Sequence, residues 1–423
     1  MTVSPITTSP IPPDPLDGGA IEARLRALAA FTDVPDEMTR LTLSPAHKAA
    51  AAQVAGWFRA AGLAEVHVDG TGSVVGRYAA ARAEAPTLIL GSHIDTVRNA
   101  GIYDGNLGVL VALAAVEALS RAGRRLPVAV EVAAFADEEG VRFPSTLSSS
   151  RALAGTFDAA CLEEADAAGI TRRAALEAFG APVHTIAGLA RDPARTRGYV
   201  EVHIEQGPVL DALGAPLGIV TGIAGASRGK VSVRGQAGHS GTLPMSLRQD
   251  ALPAAAEMVL AVETRGRRDV APESLVATVG VLDVPGAAVN VVPGEVRFSL
   301  DVRASDDGVR RAAVSDIAAQ IAAIAARRGV SAEIAWGHDA PAAPCDPGLR
   351  ARLAAAVAGL GLEAPLLPSG AGHDAMVFRG ILPMAMLFVR SRNGSHNPAE
   401  AADAADIGLA ARALHAFLLG LEA

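Results

Sequence analysis

The sequence predicts a two-domain α/β protein in which a smaller α+β domain interrupts the chain of a larger one. Two continuous apolar runs, 86–91 and 127–135, are typical of strands buried on both faces. The apolar, alanine-rich stretch 107–119 lies between them and indicates a packed helix. Beyond residue 218 these runs give way to segments in which polar and apolar residues alternate. The length of 423 residues fits two or three domains.

Composition excludes several classes of protein. Hydrophobic residues make up 50% of the chain and charged residues 19%, which is enough to bury a large core. The net charge of −8 argues against nucleic acid as a partner, and no uninterrupted apolar stretch suits a membrane span. The two cysteines, Cys161 and Cys345, form neither a disulfide framework nor a CxxC pair. We therefore expect a cytoplasmic protein.

The first elements of the larger domain can be placed from local signals. Residues 1–20 are rich in proline and lack the basic and apolar regions of a secretory signal, so we expect a flexible arm. Ser44 followed by Pro45 indicates the start of a helix that runs to about Ala61. Two short strands follow, near 65–68 and 73–78.

The sequence predicts the element order βαββαβ for the inserted domain, which is the order of a ferredoxin-like two-layer sandwich. Its third strand, 295–303, alternates cleanly and has one wet face. Ser246–Gln249 resembles a capping box that opens a helix to about Thr264. The other elements are predicted at 228–234, 275–282, 309–324 and 330–336. The domain boundaries that follow are 21–217 with 338–423 for the larger domain and 218–337 for the insertion.

Polar clusters follow the two apolar runs of the larger domain. SHIDT comes after the first and DEEG after the second, and ligands bind beyond the carboxyl ends of strands in open α/β sheets. Asp95 can hold the ring of His93, and Asp104 follows His93 by 11 positions, close enough to fold back. Glu138 and Glu139 are neighbours in an extended segment, so they point to opposite sides.

Two further histidines complete a candidate ligand set. His203 lies in a strand-like stretch and His396 precedes the C-terminal helix. Nitrogen and oxygen ligands without a thiolate suit Zn²⁺, with Mn²⁺, Co²⁺ or Ni²⁺ as alternatives. Such a set suits two ions about 3.5–4 Å apart, with Glu138 taking a proton from an activated water. Each residue alone has a common structural explanation: a hydrogen-bonded histidine, a solvated glutamate or a turn aspartate.

Taken together, the motifs resemble the zinc-peptidase-type amidohydrolases of the hydantoinase/carbamoylase group, which comprises N-carbamoyl-L-amino acid hydrolases, allantoate amidohydrolases and β-ureidopropionases. The resemblance spans about His93 to Glu400. It rests on GSHIDTV, YDGNLGVL, DEEGVRF, SRALAG, EVHIEQGPVL, GQAGHSGT, PMSLRQDA, VNVVPGEVRFSLDVR, SGAGHDAM and SHNPAE.

The resemblance implies a zinc-peptidase-like mixed-sheet catalytic domain with an inserted ferredoxin-like lid and dimerisation domain. It implies two divalent ions, Glu138 as general base and Asp95 as orienter of His93. The implied metal ligands are His93, Asp104, Glu139, His203 and His396. Residues implied to contact substrate are Gln206, His239, Asn290, Arg303, Gly370 and Gly372, with His239 also catalytic and contributed across a homodimer.

The implied activity is hydrolysis of the ureido C–N bond of a small carboxylated substrate, first of all an N-carbamoyl-L-amino acid. Arg303 offers a planar fork for the substrate carboxylate, while His239 and Asn290 offer hydrogen bonds to developing oxyanion charge. Alternatives are hydrolysis of allantoate or ureidoglycolate, an aminopeptidase or dipeptidase of the same fold, and a metal-free binding protein without activity. The segment NAGIYDG and the residues 393–395 depart from the usual pattern, which bears on the substrate pocket.

Overall fold

The computed structural model describes residues 14–268 and 275–422. Its helices are α1 Gly18–Ala29, α2 Pro45–Ala60, α3 Asn106–Arg121, α4 Ser148–Ala154, α5 Arg172–Phe179, α6 Val209–Leu213, α7 Ala251–Arg268, α8 Asp307–Arg328, α9 Pro347–Ala358 and α10 Ala404–Leu419.

The strands of the structure include the four predicted at 65–68, 73–78, 86–91 and 127–135. They are β1 Ala64–Val68, β2 Val74–Tyr78, β3 Thr87–His93, β4 Ala129–Phe135, β5 Thr196–Ile204, β6 Leu217–Ile223, β7 Gly225–Arg234, β8 Gly238–His239, β9 Val276–Thr278, β10 Leu282–Asp283, β11 Val291–Val292, β12 Glu295–Ala304, β13 Ser331–Ala340, β14 Ala343–Pro344, β15 Leu366–Ser369 and β16 Met384–Val389.

The chain divides into two compact units, and the larger contains Met1–Thr221, Cys345–Leu367 and His373–Ala423. Its mixed sheet has the order β1-β2-β4-β3-β5-β16-β6. The four central strands β4, β3, β5 and β16 run parallel. β4 is buried along its whole length, as expected for a central strand covered on both faces. The predicted α/β class is confirmed.

The larger unit corrects one expectation about the N-terminus. Residues 1–13 of the predicted flexible arm 1–20 lie outside the described residues, but its last three residues form the first turn of α1. Asp17 caps this helix by accepting a hydrogen bond from the amide of Ala20 at 2.9 Å. Gly18 packs so closely on α10 that a Cβ there would lie 1.6 Å from the backbone oxygen of Ala404.

The second unit contains Gly222–Pro344 and Pro368–Gly372. Its main sheet has the order β10-β12-β7-β13, with β9 also paired to β12. The apolar side chains of β7 and β12 form a core with α7 and α8, so the opposite face of the sheet carries the polar residues. This is the α+β layer that the sequence predicts for the insertion.

Two local predictions in the second unit are wrong. The sequence places a helix start at Ser246–Gln249, but α7 begins at Ala251. Arg248 holds the preceding loop in another shape, because its guanidinium donates to the backbone oxygens of Leu243 at 3.1 Å and Ser240 at 2.6 Å. The single strand expected at 275–282 is split into β9 and β10. Ser299 Oγ accepts the amides of Gly280 and Val281 at the break.

Within 14–268 and 275–422, no helix has the length and apolar character needed to cross a membrane.

Candidate metal centre and substrate residues

The ligands predicted from the sequence lie at one edge of the larger unit's sheet. β3 ends at His93, Glu139 follows β4, His203 is next to last in β5, and His396 lies in the loop after β16. Because these four strands are parallel, their carboxyl ends meet at the same edge. The turn before α3 adds Asp104, to which the side chains of three of the ligands come close.

The first cluster of ligands, here called the inner group, consists of His93, Asp104 and His203. Nε2 of His93 lies 3.6 Å from Asp104 Oδ1, and Nε2 of His203 lies 3.1 Å from the same oxygen. All three side chains are at most 2% exposed. One ligand atom from each lies within 4.8 Å of the others, which is close enough to share one cation.

Backbone oxygens orient both inner imidazoles. Nδ1 of His93 lies 3.0 Å from the backbone oxygen of Asp95, and Nδ1 of His203 lies 2.8 Å from that of Ile204. A ring nitrogen facing a carbonyl oxygen carries the proton, so Nε2 of each ring keeps its lone pair. The amide of Gly105 donates to Nε2 of His203 at 3.2 Å, in agreement with that tautomer. Both rings therefore present to Asp104 the nitrogen that a metal ion needs.

The second cluster, here called the outer group, consists of Asp104, Glu139 and His396. Nε2 of His396 lies 3.4 Å from Asp104 Oδ2 and 3.6 Å from Glu139 Oε2. The side chain of His396 is 51% exposed, in contrast to the inner histidines. Among the described residues, Glu139 Oε1 is buried without a hydrogen-bond partner, as expected for an oxygen that ligates a cation. Both groups share Asp104, and the donor set of both fits divalent cations.

The carboxylate of Asp95 mainly positions the two glutamates. Its Oδ1 accepts the amide of Glu138 at 3.1 Å and its Oδ2 accepts the amide of Glu139 at 3.2 Å. The same carboxylate lies 3.6 Å from His93 Nδ1, farther than its own backbone oxygen. Asp95 therefore ties the end of β3 to the end of β4, a contact that the sequence analysis did not foresee.

The two glutamates carry shifted proton affinities. Burial is the main cause that raises the pKa of Glu139 to about 7, and the charge of Asp104 adds to it. Burial also raises the pKa of Glu138 well above its ordinary value, with a further contribution from Glu139. Crowded buried carboxyls of this kind hold protons until a cation offsets their repulsion. The electrostatics thus favour divalent cations among these residues.

Gln206 contacts the bridging aspartate. Its Nε2 donates to Asp104 Oδ2 at 2.9 Å, and its backbone adopts a positive φ of 62°. Its Oε1 is buried and lacks a hydrogen-bond partner among the described residues, which leaves an acceptor free. The sequence analysis expected Gln206 near substrate, and the structure places its amide group at the ligand cluster.

The remaining predicted substrate residues belong to the second unit. His239 and Asn290 lie at the two-stranded ribbon formed by β8 and β11. His239 pairs with Val291, and the amide of Ser240 donates to the backbone oxygen of Asn290 at 2.9 Å. Both side chains are exposed. The structure gives no contact between either of them and Arg303 among the described residues.

Arg303 is already engaged. Its Nε and Nη2 donate to Asp301 at 3.0 and 2.8 Å, and its Nη1 donates to the backbone oxygen of Gly370 at 2.7 Å. Nε, Nη1 and Nη2 of Arg303 thus each have a partner in the second unit, and the side chain is 29% exposed. Gly370 and Gly372 are exposed, and a Cβ at Gly370 would meet nothing within 4 Å. Arg303, Gly370 and Arg228 line a groove of about 820 Å³ in the second unit.

Sequence reasoning missed a buried arginine beneath the inner group. Arg40 is fully buried, and its Nε donates to the backbone oxygen of Ile94 at 2.7 Å. Its Nη1 donates to the oxygens of Leu28 and Phe31, and its Nη2 to Asn106 Oδ1. These bonds join the N-terminal segment to the strand end at His93 and to the turn at Asp104. No local pattern around Arg40 signals this role.

Comparison with known proteins identifies the family of this chain. The family described as peptidase family M20/M25/M40 matches residues 89–420. The chain belongs to this family. Among curated relatives, an allantoate deiminase of Arabidopsis thaliana is 41% identical over 94% of this M20 chain and 81% of its own. An N-carbamoyl-L-amino acid amidohydrolase of Geobacillus stearothermophilus is 38% identical over 95% of this chain and 97% of its own.

A solved structure of a relative supports the zinc-peptidase-like fold of this M20 protein. A hydantoinase/carbamoylase family amidase from Burkholderia multivorans superposes with a TM-score of 0.90 at 31% identity, covering 96% of this chain and 98% of its own. The resemblance to the hydantoinase/carbamoylase group and the predicted fold class are thereby confirmed. The chain is an enzyme, a hydrolase that acts on the C–N bonds of linear amides.

Proposed function

We propose that this enzyme cleaves the ureido C–N bond of N-carbamoyl-L-amino acids, using two divalent ions and Glu138 as general base. One water and one substrate yield the free amino acid, ammonia and carbon dioxide. The observation that carries the proposal is the meeting of His93, His203 and His396 around Asp104, with Glu138 beside them.

The chain's own residues supply position and proton transfer. Asp95 fixes the backbone of Glu138, so the carboxyl of Glu138 keeps a defined place beside the ligands. A base with a raised pKa accepts a proton from water and delivers it to the leaving nitrogen near neutral pH. The inner and outer groups would hold divalent ions, which would supply Lewis acidity and lower the pKa of water. Zn²⁺ is the first choice for this donor set, followed by Mn²⁺, Co²⁺ and Ni²⁺.

The substrate carboxylate is assigned to Arg303, whose side chain is 29% exposed and whose planar guanidinium suits a two-point hydrogen bond to a carboxylate. His239 and Asn290 are assigned to developing charge on the carbonyl oxygen, with His239 contributed across a homodimer. A cytoplasmic homodimer whose inserted domain acts as a lid accords with these assignments.

Allantoate is the second candidate substrate, and a specific observation favours it. Three plant allantoate deiminases are 41% identical to this chain, slightly more than the N-carbamoyl-L-amino acid amidohydrolases at 36–40%. Allantoate is also a ureido carboxylate, so the same ligands and the same arginine would serve it. The two substrates differ in the group carried next to the carboxylate.

The test uses the apo-enzyme reloaded with each of the four metals. It measures ammonia release from the ureido compounds and release of free amino acids from the dipeptide, whose cleavage gives no ammonia. The panel contains N-carbamoyl-L-methionine, its D isomer, allantoate and a dipeptide. We expect the highest kcat/KM with the L-carbamoyl compound and none with the dipeptide. Dominant turnover of allantoate would transfer the proposal to the second candidate, and dominant dipeptide cleavage would support a peptidase. Failure to bind any of the metals, without activity, would favour a binding protein.

A further inference from the structure

Glu400 is a buried carboxylate that none of the roles above uses. Glu400 is 6% exposed and lies four residues after His396 in the same loop. Its Oε1 accepts the amides of Tyr103 at 2.9 Å and Asp104 at 3.2 Å. The fit is close, since a Cβ on Gly101 would lie 2.2 Å from that oxygen. Glu400 therefore stabilises the turn that contains Asp104, the aspartate shared by both ligand groups.

The second oxygen of Glu400 extends the connection to the loop itself. The hydroxyl of Ser395 lies between Glu400 Oε2, at 2.6 Å, and Asp104 Oδ2, and its single hydrogen can be donated to either carboxylate. Ser395 immediately precedes His396. A short chain of bonds thus links the backbone of the Asp104 turn, the carboxylate of Asp104 and the base of the histidine loop.

The two ligand groups depend on this connection to different degrees. The inner histidines belong to strands β3 and β5, and each ring is oriented by a backbone oxygen. His396 lies outside any strand, has a φ of 60° and is about half exposed. Besides the approach of His396 Nε2 to Asp104 Oδ2 at 3.4 Å, the bonds among the described residues that join this loop to the Asp104 turn are those of Ser395 and Glu400.

We infer that Glu400 is a positioning residue for the outer ion, which holds His396 and Asp104 at the spacing that this ion requires. The inner ion depends on Glu400 less, because its two histidines belong to β3 and β5. The inference rests on the proposed two-metal function and goes beyond it, because it makes the two ions unequal. The inner ion should bind more tightly, and the outer ion should be the one that exchanges.

The test is calorimetric titration of the full-length apo-enzyme with Zn²⁺, with Tm measured in parallel. Wild type should bind two ions with separable affinities. Glu400→Ala should weaken the outer ion about 10–100-fold, the usual cost of losing a partner of a metal ligand. The inner ion should be weakened clearly less, because Asp104 is the one inner ligand that Glu400 contacts. Glu400→Gln should restore most of the outer affinity, because its amide oxygen can still accept the two backbone amides.

Asp69→Ala provides the matched control. Asp69 is 1% exposed and accepts the amides of Thr71 at 2.8 Å and Ser73 at 3.1 Å, in a turn without a ligand. Its loss should lower Tm and leave both ion affinities as in wild type. If Glu400→Ala folds poorly, Ser395→Ala cuts only the hydroxyl link and should weaken the outer ion in the same direction.

The outcomes separate this inference from the proposed function. Wild type without any bound ion would overturn both. Two ions in wild type, with Glu400→Ala lowering only Tm or weakening both ions equally, would overturn the positioning role alone. A loss that Glu400→Gln does not restore would contradict the assignment of the amide bonds.

Discussion

The residues expected to bind metal and those expected to bind substrate are held in different ways. In the larger unit, His93, Asp104 and His203 are buried, and each imidazole is fixed by a backbone oxygen. In the second unit, His239 and Asn290 are exposed and lie on a short ribbon, and Arg303 is fixed mainly by Asp301.

The difference shows which part of the chemistry the folded chain prepares in advance. Buried ligands with fixed tautomers keep their geometry with or without an ion, so little conformational entropy is lost when a cation binds. Exposed side chains become ordered only when a ligand engages them. We therefore expect variants of the larger unit to change turnover or metal binding, and variants of the second unit to change substrate selection.

The largest effect is expected for Glu138→Gln. Loss of a general base typically lowers turnover about 10²–10⁴-fold, whereas the ligands of both ions stay in place. Steady-state kinetics with metal analysis of the same sample tests this. Glu139→Gln is the matched neighbour and should lose metal as well as activity. Wild-type turnover in Glu138→Gln would remove Glu138 from the mechanism.

A smaller effect, confined to one class of substrate, is expected for Arg303→Ala. Hydrogen bonds to charged groups contribute about 1.5–3 kcal/mol, so kcat/KM for carboxylate substrates should fall about 10–100-fold. Turnover of the corresponding uncharged amide should change little. Arg228→Ala is a suitable control, since Arg228 also contacts Asp301, at 3.3 Å, but is 51% exposed. An equal loss with both substrates would contradict the carboxylate assignment.

The last effect concerns the stability of the larger unit and its dependence on pH, not turnover. Burial lowers the pKa of His47 to about 4, with a partial offset from Asp95, and its Nδ1 accepts the amide of Leu43 at 2.8 Å. His47 is protonated near pH 6.5 in the unfolded chain, but only near pH 4 in the folded protein. Stability from this group is therefore complete above pH 6.5 and falls by about 1.4 kcal/mol per pH unit between these values.

His47→Gln keeps an acceptor for Leu43 and removes the titrating group. Urea unfolding of both proteins from pH 7 to pH 4 gives the difference in slope, which should appear only below pH 6.5. Parallel curves over the whole range would show that His47 does not contribute.

Sequence patterns predicted the central strands and the edge at which their polar ends meet, because burial and alternation are local properties. They could not predict the role of Glu400, whose partner Asp104 is separated from it by 296 positions. They also missed the loop before α7, where the bonds of Arg248 override a capping pattern. The pairing of Asp301 with Arg303 was within reach, since residues two apart in a strand share a face.

The buried guanidinium of Arg40 has a practical consequence for anyone who shortens this protein. It binds Leu28 and Phe31 on one side and Ile94 and Asn106 on the other. Removing residues 1–40 would leave all five predicted ligands in the chain. It would also remove the hydrogen bonds of Arg40 to Ile94 and Asn106, which lie next to His93 and Asp104. Expression variants intended for crystallisation or immobilisation should therefore retain α1 and the segment that follows it.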